Sequence, residues 1–172
     1  MKPIVPLKTE HGLIDQMIKL ARDETLKIAT KDELNPAFID TLVDFLRTYA
    51  DATHHGKEED ILFQDLEARS LNDSERELME ELIEEHKLGR KLTKRLVGAK
   101  DEVVSGDRRD LKEVISAMQA LIDFYPQHIE KEDKRFFPDT EVHYTEEELE
   151  RMIEEFDAFD RGMIHEKYEH VV

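Results

Sequence analysis

The chain has 172 residues, with 42 Asp and Glu against 25 Lys and Arg, a formal charge of −17 with histidines neutral. A surface this acidic repels phosphate backbones and anionic headgroups, which excludes nucleic acid and membrane surfaces as partners. No Cys is present, which removes disulfides, thiolate metal sites and cysteine nucleophiles. No run approaches the roughly 18 apolar residues of a membrane span, and Met1 to Glu10 lacks a signal-peptide core, so a soluble, cytoplasmic protein is expected.

Gly and Pro are scarce and fall mostly between periodic segments, which predicts an all-α fold. A first helix is expected over about residues 7–29. Asn35-Pro36 pairs an N-cap with proline at the first helical position and opens a second, to about residue 68. Asn72 with Glu75, or Ser74 with Glu77, forms a capping box for a third helix that Ser105-Gly106 stops. Asp107 would cap a fourth helix, which Pro126 kinks and Pro138 ends. Thr145 with Glu148 caps a shorter terminal helix, about residues 145–170. The expected architecture is a single domain, 1–172: an up-down-up-down four-helix bundle over about residues 7–138 with an extra C-terminal helix.

Two segments repeat. His54-His55-Gly56-Lys57-Glu58-Glu59 aligns without a gap on His128-Ile129-Glu130-Lys131-Glu132-Asp133, 74 residues later. Upstream of each stands a Glu-His pair, Glu10-His11 and Glu85-His86, 75 residues apart. The chain therefore reads as two helical hairpins, each with one His on its first helix and His-x-x-x-Glu on its second. A spacing of four puts His54 over Glu58, and His128 over Glu132, on one helical face.

Apolar stripes identify that face as the inner one. Val43, Leu46, Ala50, His54, Glu58 and Leu62 form one stripe. Leu111, Val114, Met118, Leu121, Tyr125, His128 and Glu132 form another. His11 runs with Ile14, Ile18 and Ala21, and His86 with Met79, Leu82 and Thr93. Four His and two Glu thus point into a bundle interior, where unpaired carboxylates would cost several kcal/mol each. A metal pair removes that cost, and buried ion pairs with the imidazoles are the structural alternative. Two bridging Glu and two His per cation leave an open position. Mixed imidazole and carboxylate ligands suit iron, with Mn or Zn as weaker candidates. His55 with Glu59 rivals His54 with Glu58, but its repeat counterpart is Ile129, so His54 is preferred. The acidic runs at Glu80-Glu81 and Glu84-Glu85 read as solvated faces, as do His143, His165 and His170. That leaves Glu58 and Glu132 as the only acidic residues the chemistry needs. Gly89 and Tyr125 are read first as packing residues, with room or a hydrogen bond beside the metals as the functional alternative.

The set His11, His54, Glu58, His86, His128 and Glu132, with the phrases His-Gly-Lys-Glu-Glu-Asp-Ile-Leu-Phe from His55 and Glu-His-Lys-Leu-Gly-Arg from Glu85, resembles the hemerythrin-like, HHE cation-binding family. The resemblance implies two iron ions, joined by an oxo or hydroxo bridge, with the four His as terminal ligands and the two Glu as bridges. It also implies binding of a small oxidant: dioxygen, nitric oxide or peroxide. Oxygen-carrying members have a fifth His four residues after the third-helix ligand, where this chain has Arg90. Asp133 stands at their spacing for the last carboxylate, although Glu132 matches the internal repeat. Members that repair iron–sulfur centres carry a Cys-bearing N-terminal segment not seen here. A sensing, scavenging or iron-handling role is therefore expected rather than oxygen carriage or repair. No separate acid, base or nucleophile stands out, so turnover is left open. The alternative is a non-catalytic iron-storage, delivery or signalling module.

Overall fold

The computed structural model describes the backbone of residues 4–106 and 111–169, and side chains as far as residue 163. Among these the secondary structure is helical throughout, and no helix is long and apolar enough to cross a membrane. Five helices follow one another: α1 (Ile4–Lys31), α2 (residues 36–67), α3 (Asp73–Val104), α4 (residues 112–141) and α5 (Glu146–Glu169).

Local chemistry sets their ends. Asn35 accepts from the Phe38 amide, 3.2 Å away, with Pro36 opening α2. Asn72 and Glu75 bond each other's backbone amides, at 3.0 and 2.9 Å, and it is this box rather than Ser74 with Glu77 that starts α3. Gly106 follows α3 at φ 81°, a left-handed turn that glycine adopts without strain. Thr145 and Glu148 form the corresponding box before α5. The Asp107 cap expected for α4 lies outside the described residues. Pro126 sits inside an unbroken helical segment, Lys112–Lys131.

Two differences from expectation matter. Pro138 does not end α4, because the chain continues as π-helical turns at Glu132–Phe136 and an α segment at Phe137–Glu141. Proline is tolerated in the first turn of that segment, where its missing N–H leaves no gap. In α2, after Pro36–Phe45, the helix widens to π turns over Leu46–His55 and Glu58–Phe63 before Gln64–Glu67. Such turns bond i to i+5 and are uncommon outside functional sites.

Neighbouring helices run in opposite directions. His11 meets Asp133 while Thr25 meets Met118, which pairs α1 with α4. Glu59 meets His86 while Lys100 meets Asp40, which pairs α2 with α3. Glu85 meets His128 while Arg95 meets Glu113, which pairs α3 with α4. The apolar interior divides in two. One cluster runs from Ile14 and Ile18 through Ala50 and Leu96 to Met118 and Tyr125. The other gathers Leu7, Leu62, Phe63, Leu82, Phe136 and Phe137, with Met152 and Phe156 of α5 against it. On every bundle helix the stretch between the two clusters is the polar one.

Candidate metal centre

That polar layer contains all six residues singled out by the repeat. His11, His54, Glu58, His86, His128 and Glu132 are each at most 2% exposed. The apolar stripes that placed them are buried along their whole length.

Glu58 and Glu132 occupy the centre. Glu132 reaches His11 at 3.1 Å, His128 at 3.2 Å and His86 at 3.6 Å. Glu58 lies 3.4 Å from His86 and 3.7 Å from His54. Each carboxylate therefore touches both halves of the site. The donor atoms fall into two groups that could each hold a cation: His11, His54, Glu58 and Glu132, and His55, His86 and His128.

His55 is the residue that sequence reasoning set aside. It is 2% exposed, and its ring stacks on His86 with centroids 3.9 Å apart. The choice of His54 over His55 rests on the repeat, in which the counterpart of His55 is Ile129. In the π turn of Leu46–His55, the position one turn beyond buried Ala50 falls between the two residues, so both face inward.

The outer atoms of the imidazoles are fixed by carboxylates. His54 Nδ1 donates to Glu10 (2.8 Å), His128 Nδ1 to Glu85 (2.9 Å), His86 Nδ1 to Glu59 (2.7 Å) and His11 Nδ1 to Asp133 (3.0 Å). His55 Nδ1 faces Asp51 at 3.4 Å. An ionised carboxylate only accepts, so each Nδ1 carries a proton and each Nε2 is turned to the centre, where those of His11 and His54 lie 2.9 Å apart with a proton between them. This is the arrangement by which proteins orient imidazole ligands and raise their basicity. Glu85 is thus part of the site, and Glu81 reaches it through Lys131, which bonds both. The reading of Glu85 as merely a solvated face is corrected accordingly, while Glu81 stays exposed. A signal was present, since the Glu10-His11 and Glu85-His86 pairs belong to the repeat. His143 bonds Glu75 at 3.0 Å, away from this layer, and the side chains of His165 and His170 lie outside those described.

The electrostatics follow from two buried carboxylates. Burial opposes protonation of His11, but Asp133 and Glu132 prevail and push its pKa up to about 10. His86 is raised in the same way by Glu132, Glu58 and Glu59. Burial favours the neutral acid at Glu132, yet the positive charge of His128 and the close approach of His11 and His86 hold it well below the usual carboxylate range. His55 moves the other way: burial, reinforced by its imidazole neighbours, makes its charged form unfavourable.

Protons do not satisfy the centre. Both oxygens of Glu58, both of Glu132, and Nε2 of His86 and His128 are buried without a hydrogen-bond partner. Such atoms normally have one, and a cluster of them facing each other fits a cation. The donors are imidazole nitrogens and carboxylate oxygens, the mixture that first-row transition metals accept.

Searches among curated proteins and among solved structures give no match. A family model described as the hemerythrin HHE cation binding domain matches residues 2–140, which takes in the whole polar layer and leaves out α5. By the extent of that match and the residues it encloses, the chain belongs to the hemerythrin HHE cation-binding family.

Proposed function

We propose that the layer holds two iron ions and that the protein binds a small oxidant there: dioxygen, nitric oxide or peroxide. The observation that carries this reading is the ring of inward-facing atoms without partners, Glu58 and Glu132 oxygens with His86 and His128 Nε2. In this reading His11 and His54 would hold one ion and His86, His128 and His55 the other, with Glu58 and Glu132 available to both. Mixed nitrogen and oxygen ligation favours iron, with Mn and Zn weaker. A bound iron pair supplies electrons that can be shared with a small ligand.

The remaining work belongs to the chain. Glu10, Glu59, Glu85 and Asp133 hold the Nδ1 protons and keep the imidazole rings in register. Phe137, Phe63 and Phe124 stack on His11, His86 and His128 and keep bulk water from the rings. A cavity of about 120 Å³ adjoins His55, lined also by Gly89, Arg90, Thr93 and Tyr125. Its size suits a small ligand. A Cβ on Gly89 would come within 3.2 Å of Phe124 and 3.9 Å of the Tyr125 hydroxyl, so glycine helps keep that space open. Arg90 closes the rim, bonded to Asp51 and Glu59 at 2.7 Å each.

The test is metal content and spectrum. Purified from iron-supplemented cells, the protein should carry about two irons per chain and develop an oxo-bridge charge-transfer band when air is admitted. A folded, stable chain that takes up no metal would refute the reading.

A further inference from the structure

Lys57 is fully buried, yet the metal layer makes no direct use of it. Its ammonium bonds Glu10, the carboxylate that holds His54, and lies 2.9 and 3.0 Å from the two oxygens of Asp160 on α5. The internal repeat shows what Asp160 is for. In the second half the counterpart lysine, Lys131, also bonds two carboxylates: Glu85, which holds His128, and Glu81. The residue 75 positions before Glu81 is Pro6, which has no charge to offer. The first half therefore lacks its own second carboxylate, and α5 supplies one. That helix lies beyond the family-matched residues 2–140. It also closes over Gly56, where a Cβ would come within 2.7 Å of the Phe159 ring, and seats Phe156 below Lys57.

We propose that Asp160 is a positioning residue for the metal centre, acting through Lys57 and Glu10 on His54 and replacing the carboxylate that Pro6 cannot provide. This rests on the metal-centre reading above. Lys57 divides its charge between the two carboxylates. Without Asp160 it is free to turn further onto Glu10, which weakens the hold of Glu10 on the His54 Nδ1 proton. Through its charged contact, α5 is thereby coupled to the His54 half of the site alone.

The test compares Asp160→Asn with Glu81→Gln in the full chain as purified, following iron release to a chelator. Loss of a carboxylate that directly holds a ligand costs 10–100-fold in metal affinity, so one position further out a rise of roughly 3- to 10-fold in release rate is expected. Asp160→Asn should speed release of one of the two irons, Glu81→Gln the other, and Asp160→Glu should restore the wild-type rate. Unchanged release of both irons in Asp160→Asn, or equal acceleration of both, would overturn the proposal. A second readout needs no iron. In the metal-free or zinc-loaded chain the His54 Nδ1 proton should exchange faster with solvent in Asp160→Asn, while that of His128 is unchanged. If the wild type binds no metal, the metal-centre reading fails by itself. The positioning role is then decided by this proton, and an unmoved His54 signal overturns it.

Discussion

Stripping the metal should give a chain whose stability falls as the solution becomes alkaline. The perturbation is chelation followed by denaturant unfolding at a series of pH values. The pKa of His11 is raised from 6.5 to about 10 by Asp133 and Glu132, against the effect of burial. Its folded value exceeds its unfolded one, so its contribution is complete below about pH 6.5 and is lost as pH rises through about 10. At 1.36 kcal/mol per pH unit that rise corresponds to about 5 kcal/mol, a ceiling because Glu132 is shared with His86 and His128. His86 is raised as well and adds in the same direction. Glu132 is depressed below its ordinary 4.5, so its contribution is present above that value and lost as pH falls. His55 is held neutral, so its protonation in the unfolded chain alone costs stability below its ordinary 6.5. The metal-free chain should therefore be most stable near pH 6.5 and lose several kcal/mol by pH 10. Metal loading replaces the protons on His11 and His86, so the loaded protein should instead gain stability from pH 6 to 8. A metal-free chain whose unfolding free energy is flat or rises from pH 7 to 10 would refute the account of how the two carboxylates are balanced.

Two further outcomes follow from particular residues. His55→Ala should cut iron to about one per chain and lower affinity at the His86 and His128 half, as measured by metal analysis, whereas retention of two irons would return His55 to a packing role. Phe156→Ala removes a ring only 1% exposed between α5 and the second apolar cluster, and should cost roughly 3–5 kcal/mol in denaturant unfolding. An effect under 1 kcal/mol would mean that α5 is docked by its charges alone.

The helices and most of the polar layer were legible from sequence because the signals are local. Caps such as Asn35 and Asn72 act within three residues, and the stripes on α2 and α4 need only a periodicity. That His55 and His54 both face inward was not legible, for a reason that is also physical. The inward direction of His55 depends on the hydrogen-bond pattern of Leu46–His55 widening from i+4 to i+5, and the preferences of individual residues do not encode that widening. The carboxylates behind the imidazoles fall between these cases. Glu10 and Glu85 stood beside the ligand histidines in the repeat, but their partners are not those neighbours. They hold His54 and His128, on the facing helices, and only packing reveals that crossing.

The repeat also explains why the two halves of the site need not behave alike. Equivalent positions hold Glu10 and Glu85, Lys57 and Lys131, Glu58 and Glu132, Glu59 and Asp133, all in matching contacts. Symmetry of that kind suits a pair of like cations between two carboxylates. It fails at three places. His55 faces the centre where the other half has Ile129, Asp51 backs it where the other half has Tyr125, and Pro6 stands opposite Glu81. The first two differences enrich the half around His86 and His128 with a third imidazole and open the small cavity against it. The third ties the half around His54 to α5. One ion of the proposed pair would then be surrounded by imidazole and the other held by fewer nitrogens under the influence of a separate helix. Two ions so placed cannot have equal affinities, and stepwise iron loading, with the step order reversed by His55→Ala, is the expected consequence.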